Sequence, residues 1–182
     1  MSILTSGRMI VVVAGPAGSG KSTLGLHLAR RLRLPYLDLD SITNPVLEGL
    51  GATLPMHWND PQFRDVVRPA RYRALRQTLA DQVAAGTGAV VVAPFTAELR
   101  GGAEWDELVA SAGCIPVVVW VQATPELLAE RRAARGADRD AHIVDLAGNA
   151  TPAVAHVRVD AALPTDRQVE AVLKEPGIAR RD

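Results

Sequence analysis

Eight consecutive residues, Gly15 to Ser22, bring glycines, a lysine and a serine together at a spacing suited to phosphate chemistry. Their sequence, GPAGSGKS, fits the pattern G-x-x-x-x-G-K-[ST]. Glycines let backbone N–H groups come close to a triphosphate, because a Cβ would obstruct the approach. In such a loop Lys21 reaches the β- and γ-phosphates, and the Ser22 hydroxyl binds Mg²⁺. The pattern therefore predicts a site for ATP or GTP with Mg²⁺.

The residues on both sides of this loop support that interpretation. Residues 9–14 form a short apolar run rich in β-branched side chains, which is typical of a buried parallel strand. Leucines recur at helical spacing across residues 21–33. A strand, a glycine-rich loop and a helix in this order are the context that the motif requires. A chance glycine-rich turn is the alternative, and this context argues against it.

Two aspartates at the end of the second expected strand are candidates for a metal-binding or catalytic role beside this loop. Asp38 and Asp40 are separated by one residue, so strand alternation is expected to place both on one face. Two carboxylates this close need a cation nearby, and Lys21 with Mg²⁺ would supply one. The alternative is an aspartate N-cap followed by Ser41, which is a turn signal.

A second group of cations lies in the carboxyl-terminal half. Arg131 and Arg135 share one helix face, and Gly136 allows a bend before Arg139. We expect a mobile lid over 131–140 whose arginines stabilise a transferring phosphoryl group. Cations that merely favour a helix C-terminus are the alternative. The residues expected to contact the nucleotide are Gly15, Ala17, Gly18, Ser19, Gly20, Lys21, Ser22, Thr23, Arg131, Arg135 and Arg139.

Three side chains are candidates for holding a second substrate. Trp58 has a ring that could stack on it, although packing of the surrounding loop is the alternative. Arg71 shares helical spacing with Arg64 and Arg68, which gives either a cationic wall or a solvated basic face. Thr96 follows the third expected strand, at the edge of the sheet where ligands of such folds bind.

Length and charge narrow the classes of function. The chain has 182 residues and a formal net charge of zero, so its charge favours neither nucleic acid nor an anionic membrane as a partner. No stretch reaches ~18 uninterrupted apolar residues, and we expect neither a membrane span nor a signal peptide. Cys114 is the only cysteine, which excludes an internal disulfide. We expect a cytoplasmic monomer or homodimer that acts on a small molecule.

The alternation of short apolar runs with helical patterns predicts an α/β fold with three layers. We expect a central five-stranded parallel sheet, helices on both faces and a mobile lid. One domain is expected over 9–174, between a flexible lead at 1–8 and a frayed tail at 175–182. Expected strands are 9–14, 35–39, 88–93, 115–121 and 155–160. Expected helices are 21–33, 61–85 with a break at Pro69, 104–112, 124–135, 138–147 and 165–174, while 43–59 is expected to be a loop or a short mobile helix.

With these features placed, the chain resembles the P-loop small-molecule kinases of the nucleoside-monophosphate-kinase-like group. That group includes shikimate, gluconate and antibiotic kinases and many proteins described only as AAA-type ATP-binding proteins. The resemblance implies a P-loop NTPase fold in which Asp38 holds Mg²⁺ through water and Asp40 meets the acceptor hydroxyl. It also implies that residues 160–164 pack on adenine. Shikimate kinases carry a glycine triplet where this chain has residues 94–96, which argues against shikimate as the acceptor.

These observations predict an ATP-dependent phosphotransferase that acts on a hydroxyl of a sugar, nucleoside or antibiotic. The expected catalytic residues are Lys21, Asp40 and Arg135. No acidic residue ends the third or fourth expected strand, whereas motor and transporter ATPases usually place a magnesium-holding aspartate there. The alternative is a nucleotide-binding regulatory or accessory ATPase that switches a protein partner.

Overall fold

A computed structural model of the chain describes residues 8–51, 60–135 and 151–179. Its centre is a five-stranded sheet in the order β2-β3-β1-β4-β5, in which every neighbouring pair is parallel. The strands are β1 Ile10–Ala14, β2 Tyr36–Asp38, β3 Ala89–Val92, β4 Val117–Gln122 and β5 Val157–Asp160. This arrangement confirms the predicted fold class.

The described helices lie on both faces of the sheet. They are α1 Lys21–Leu32, α2 Leu39–Gly51, α3 Arg68–Ala84, α4 Ala103–Ala112, α5 Pro125–Arg135, α6 Thr165–Leu173 and α7 Pro176–Ala179. Leu75 and Leu79 of α3 pack on one face, and Leu24 and Leu28 of α1 pack on the other. The core is therefore split into two apolar layers, one on each side of the sheet.

The central strand β1 owes its position to its composition. Val11, Val12 and Val13 have no exposed surface, because β3 and β4 flank the strand and helices cover both faces. Each fully buried valine side chain stabilises the fold by about 1.5–3 kcal/mol. The loop that follows this strand thus begins from a rigid support.

Residues 43–51 do not form the expected loop or short helix. They belong to α2, a 13-residue helix that contains Pro45. Leu39 and Thr43 on its buried face outweigh the low helix propensity of its proline and glycines. The helix also begins at Leu39, one residue inside the strand expected over 35–39.

The expected break at Pro69 is also absent. A π-helical segment, Phe63–Val67, runs directly into α3, and the N–H of Arg68 donates to the carbonyl of Phe63. Pro69 stands in the first turn of α3, where its missing N–H costs little. The widened turn therefore takes the place of a break.

The described part of the carboxyl-terminal tail differs from the expectation. The tail from 175 was expected to be frayed, but Pro176–Ala179 is helical and Ile178 is buried in the core. The helix expected over 138–147 lies outside the described residues.

Candidate functional site

The loop between β1 and α1 has the geometry that its motif predicts. A Cβ on Gly15 would come within 2.8 Å of both the Ser19 hydroxyl and the Val121 carbonyl oxygen, so only glycine fits. The residue before α1 is Gly20, which has no side chain to cap the helix. The first turn of α1 also contains no acidic residue. The positive end of the α1 dipole is therefore open to an anion.

Ser19 adds an observation that fits a phosphate. Its hydroxyl is buried, and no group in the described part of the chain forms a hydrogen bond with it. A buried polar atom normally has a partner, so an orphan at this place fits a ligand oxygen. Nζ of Lys21 lies over the same loop, 3.5 Å from the carbonyl oxygen of Pro16. Ser22 and Thr23 are exposed in the first turn of α1, as a phosphate or metal contact requires.

Arginines from α5 close the other side of the loop. Arg131 donates from Nη1 to the carbonyl of Ser19 (3.0 Å) and from Nη2 to that of Ala161 (2.8 Å). Arg132 donates from Nε and Nη2 to the carbonyl of Ala17, both at 3.2 Å. Arg131 thus lies beside the phosphate loop and contacts backbone carbonyls, and its predicted contact with the nucleotide stays a prediction. Arg132 was not among the predicted site residues, although its position next to Arg131 was a usable signal.

The other predicted lid residues lie at the end of α5 or outside the described residues. Arg135 ends α5, and nothing is described of its side chain. Arg139 and Gly136 lie outside the described residues, so the mobile lid stays a prediction.

A pocket of about 460 Å³ opens beside the loop. Its volume lies within the range of small-molecule sites, roughly 300–1,000 Å³. Its lining residues come from the loop, from α5 and from the segment after β5: Ser19, Gly20, Thr23, Arg131, Ala162, Leu163, Pro164, Thr165 and Gln168. One end is therefore rich in amide donors, and the other is formed by residues 162–168.

The two aspartates occupy different environments. Asp38 ends β2 and is buried, whereas Asp40 lies in the first turn of α2 with an exposed side chain. The prediction that strand alternation puts both on one face is therefore wrong, because the strand ends between them. Oδ1 of Asp38 accepts from the N–H of Asp40 (2.9 Å) and of Ser41 (3.3 Å). This is the helix cap that the alternative interpretation described.

Tyr36 links Asp38 to the phosphate loop. Its hydroxyl lies 2.8 Å from Oδ2 of Asp38, to which it can donate, and 3.2 Å from the carbonyl oxygen of Ser22. Burial and the neighbouring Asp38 carboxylate raise the pKa of Tyr36, so the phenol keeps its proton. The Tyr36 hydroxyl thus contacts both predicted magnesium residues, Ser22 through its backbone carbonyl and Asp38 through its carboxylate.

Arg71 is a buried partner of Asp40. Its Nη2 donates to Oδ1 of Asp40 (2.6 Å) and to Oδ1 of Asn44 (2.8 Å), and its Nε donates to the Thr43 hydroxyl (2.7 Å). The side chain is 10% exposed and that of Asp40 is 57% exposed. The structure therefore rules out the solvated basic face for Arg71 and places it against α2.

Thr96 is held by the same helix. Nη2 of Arg68 donates to the Thr96 hydroxyl (2.8 Å), and its guanidinium lies 4.9 Å from the ring centroid of Tyr72. Arg68 and Arg71 are three residues apart on α3, so one helix contacts both Thr96 and Asp40. Arg64, the third member of the spacing, is exposed and pairs with Asp65. Trp58 lies outside the described residues.

The comparison with protein families decides how this arrangement is classified. Residues 10–151 match the family AAA_33, described as an AAA domain. The chain belongs to this family. The match begins at β1 and contains the phosphate loop, both aspartates and α5.

Curated relatives of this AAA_33 chain are shikimate kinases. The protein from Brucella canis is 32% identical over 128 residues, which cover 69% of this chain and 56% of the relative. The protein from Rhodococcus erythropolis is 33% identical over 94 residues, which cover 50% and 53%. The chain thus spans about half the length of the curated relatives it matches.

Solved structures share the fold of this AAA_33 chain. A sugar kinase from Janibacter sp. has a TM-score of 0.66 at 17% identity, with 94% of this chain and 96% of the other covered. A gluconokinase from Sinorhizobium meliloti has a TM-score of 0.60 at 23% identity, with 95% and 92% covered. The curated relatives confirm the predicted likeness to P-loop small-molecule kinases, and these neighbours confirm the predicted fold.

One buried acid of the AAA_33 chain escaped the sequence analysis. Glu98 is 3% exposed, and its Oε2 has no hydrogen-bond partner among the described residues. Burial raises the pKa of its carboxyl, although the charges of Arg68 and Arg76 oppose this. Glu98 lies in a short 3₁₀ turn with Leu99, which is also buried, and neither the turn nor the burial is visible in the sequence.

No group of three or more acidic, histidine or cysteine side chains in the described ranges could hold a metal ion alone. Mg²⁺ commonly takes only one or two protein ligands and completes its shell with water and phosphate oxygens. The exposed Ser22 hydroxyl at the loop fits that pattern. Across the same ranges, no helix is long and apolar enough to span a bilayer.

Proposed function

We propose that this chain is an ATP-dependent phosphotransferase that moves the γ-phosphoryl group to a hydroxyl of a small metabolite. The observation that carries the proposal is a series of contacts from Ser22 through Tyr36 and Asp38 to Asp40. It connects the phosphate loop to an exposed carboxylate that a buried arginine holds in place. A phosphate site with an oriented base beside it is what transfer to an alcohol requires.

On the donor side, the loop and the α1 N-terminus would bind the β- and γ-phosphates, and Lys21 would contact them. Ser22 would hold Mg²⁺ directly and Asp38 through water. When bound, the ion supplies positive charge that neutralises the phosphate oxygens. Asp38 also caps α2, so one residue would fix both the metal's water shell and the start of the helix that carries Asp40.

On the acceptor side, Asp40 would orient the acceptor hydroxyl and take its proton. Oδ1 is held by Arg71, while Oδ2 has no hydrogen-bond partner in the described part of the chain. The acceptor oxygen then bonds to the γ-phosphorus, and the bond to the β–γ bridging oxygen breaks to release ADP. Thr96 and Trp58 are the further proposed acceptor contacts, and Arg135 the proposed lid arginine.

The acceptor class is a sugar, nucleoside or antibiotic. The names of the relatives add shikimate and gluconate to the compounds that deserve testing. Residues 94–96 replace the glycine triplet of shikimate kinases, and Phe95 is fully buried there with a positive φ of 50°. A bulky buried side chain thus stands where the triplet has glycine, so a non-shikimate acceptor is favoured.

An acceptor screen with ATP and Mg²⁺, followed by phosphorus NMR of the product, tests the proposal. We expect a new phosphate ester with one class of alcohol and no ester with Lys21→Ala. Arg73→Ala, an exposed change on α3, is the matched control and should keep full activity. Rapid ATP hydrolysis without any acceptor, and no ester with any alcohol, would instead support the regulatory ATPase.

A further inference from the structure

Gln168 presents a fixed hydrogen-bond acceptor to the pocket described above. Its side chain is buried near the start of α6, and Nε2 donates to the carbonyl oxygen of Leu163 (2.7 Å). This bond sets which end of the amide points where. Turning the amide over would place Oε1 against the Leu163 oxygen and lose the bond.

The other end of this amide is open. Oε1 of Gln168 makes no hydrogen bond with any described residue, whereas Nε2 is already used by Leu163. Gln168 is buried and lines the pocket, so Oε1 is the amide atom that remains for a ligand bound there.

The pocket orients a nucleotide with respect to this oxygen. The amide-rich loop and Thr23 form one end, so the phosphates belong there. Gln168, Leu163 and Pro164 form the other end, and the Leu163 side chain is 45% exposed. An apolar surface with one directed polar atom suits a flat purine base.

We propose that Oε1 of Gln168 selects adenine over guanine in this pocket. The inference rests on the proposed function, because it needs a nucleoside phosphate at the loop. Adenine carries an amino group at C6, which donates to Oε1. Guanine carries a carbonyl oxygen there, so two acceptors would face each other unpaired. A site built around one hydrogen bond discriminates against a ligand that cannot form it.

The first experiment compares diphosphates on the unaltered protein, so that hydrolysis plays no part. Equilibrium dissociation constants are measured by calorimetry for ADP, GDP and IDP with Mg²⁺. IDP shares the C6 oxygen of GDP but lacks its 2-amino group, so it isolates the C6 position. We expect ADP to bind roughly tenfold more tightly than either GDP or IDP.

The second experiment changes the acceptor. In Gln168→Leu we expect the ADP to IDP preference to fall to about twofold or less, mainly because ADP affinity falls by roughly 3–10-fold. Gln168→Met repeats the test with an unbranched side chain if leucine prevents folding, and thermal melting checks both. Glu170→Gln, exposed on the same helix, is the matched control and should keep the preference of the unaltered protein.

The outcomes separate this inference from the proposed function. Tight but equal binding of ADP and IDP, or a preference unchanged in both Gln168 variants, overturns the role of Gln168 and leaves the kinase proposal standing. No binding of any nucleotide by the folded protein overturns both, since the donor site itself would be wrong.

Discussion

Nη2 of Arg71 donates to Oδ1 of Asp40 at 2.6 Å, from a guanidinium that also contacts Thr43 and Asn44. The exposed carboxylate is thus held by a side chain that is itself buried and fixed by three acceptors. A planar guanidinium can hold these positions together, whereas an ammonium group cannot. Arg71 therefore positions Asp40, and it need not contact the acceptor to matter for transfer.

Replacing Arg71 by lysine tests this relationship. We expect Arg71→Lys to lower kcat by about 10²-fold, because a displacement of the base near 1 Å costs that much. The dissociation constant of ADP should stay unchanged, since the described hydrogen bonds of Arg71 go to α2 and not to the phosphate loop. Steady-state kinetics with calorimetry measures both, and Arg73→Lys on the exposed side of α3 is the control. An unchanged kcat would show that Asp40 needs no such support.

The two aspartates should respond differently to loss of charge. Asp38→Asn retains a capping oxygen, so α2 should remain folded, but the Mg²⁺ requirement should rise because a negative charge beside the metal's water shell is lost. Asp40→Asn should bind ADP and Mg²⁺ normally and lower kcat by roughly 10²–10⁴-fold. Magnesium titrations of activity separate the two, since added Mg²⁺ should rescue only the first. Full transferase activity in both variants would remove these residues from the mechanism.

Glycine substitutions test how α1 is held against the sheet. A Cβ on Gly25 would overlap Cγ2 of Val92 and lie 3.3 Å from the Tyr36 ring, so Gly25→Ala should destabilise the fold by about 1–3 kcal/mol. No described atom outside α2 lies within 4 Å of the same position at Gly49, and Gly49→Ala should stabilise the fold by about 0.5–1 kcal/mol. Urea unfolding measures both changes. Equal effects at the two positions would contradict the close approach of α1 to β3.

The parts of the site that the sequence predicted are those with fixed residue types. The phosphate loop needs Gly15, Lys21 and Ser22 at set spacing, and that requirement is local. The helix α2 escaped prediction because Pro45 lowers local propensity, while the packing that stabilises it comes from elsewhere in the chain. The burial of Glu98 is likewise a property of the folded molecule, since the charges near it come from α3 and α4, which are separate elements of the chain.

Glu98 should make stability depend on pH in a direction opposite to that of most carboxyl groups. Burial raises the pKa of Glu98 above its ordinary value of 4.5, while the nearby cations Arg68 and Arg76 oppose the shift and Glu104 adds to it. The folded state therefore binds a proton that the unfolded chain has already released. Stability from this group is present below pH 4.5 and is lost as pH rises through the folded-state pKa.

Glu98→Gln removes this titration while keeping the size of the side chain. We expect the free energy of unfolding of the variant, minus that of the unaltered protein, to increase as pH rises from about 4.5, the ordinary carboxyl value, toward neutrality. The test is the slope of this difference against pH, and not its absolute size. The buried glutamine amide also lacks hydrogen-bond partners, and this shifts the difference by the same amount at every pH. Urea unfolding across this range measures it, with Glu130→Gln on the exposed side of α5 as the matched surface control. A difference that is independent of pH, or that falls as pH rises, would mean that the charges of Arg68 and Arg76 outweigh the burial of Glu98.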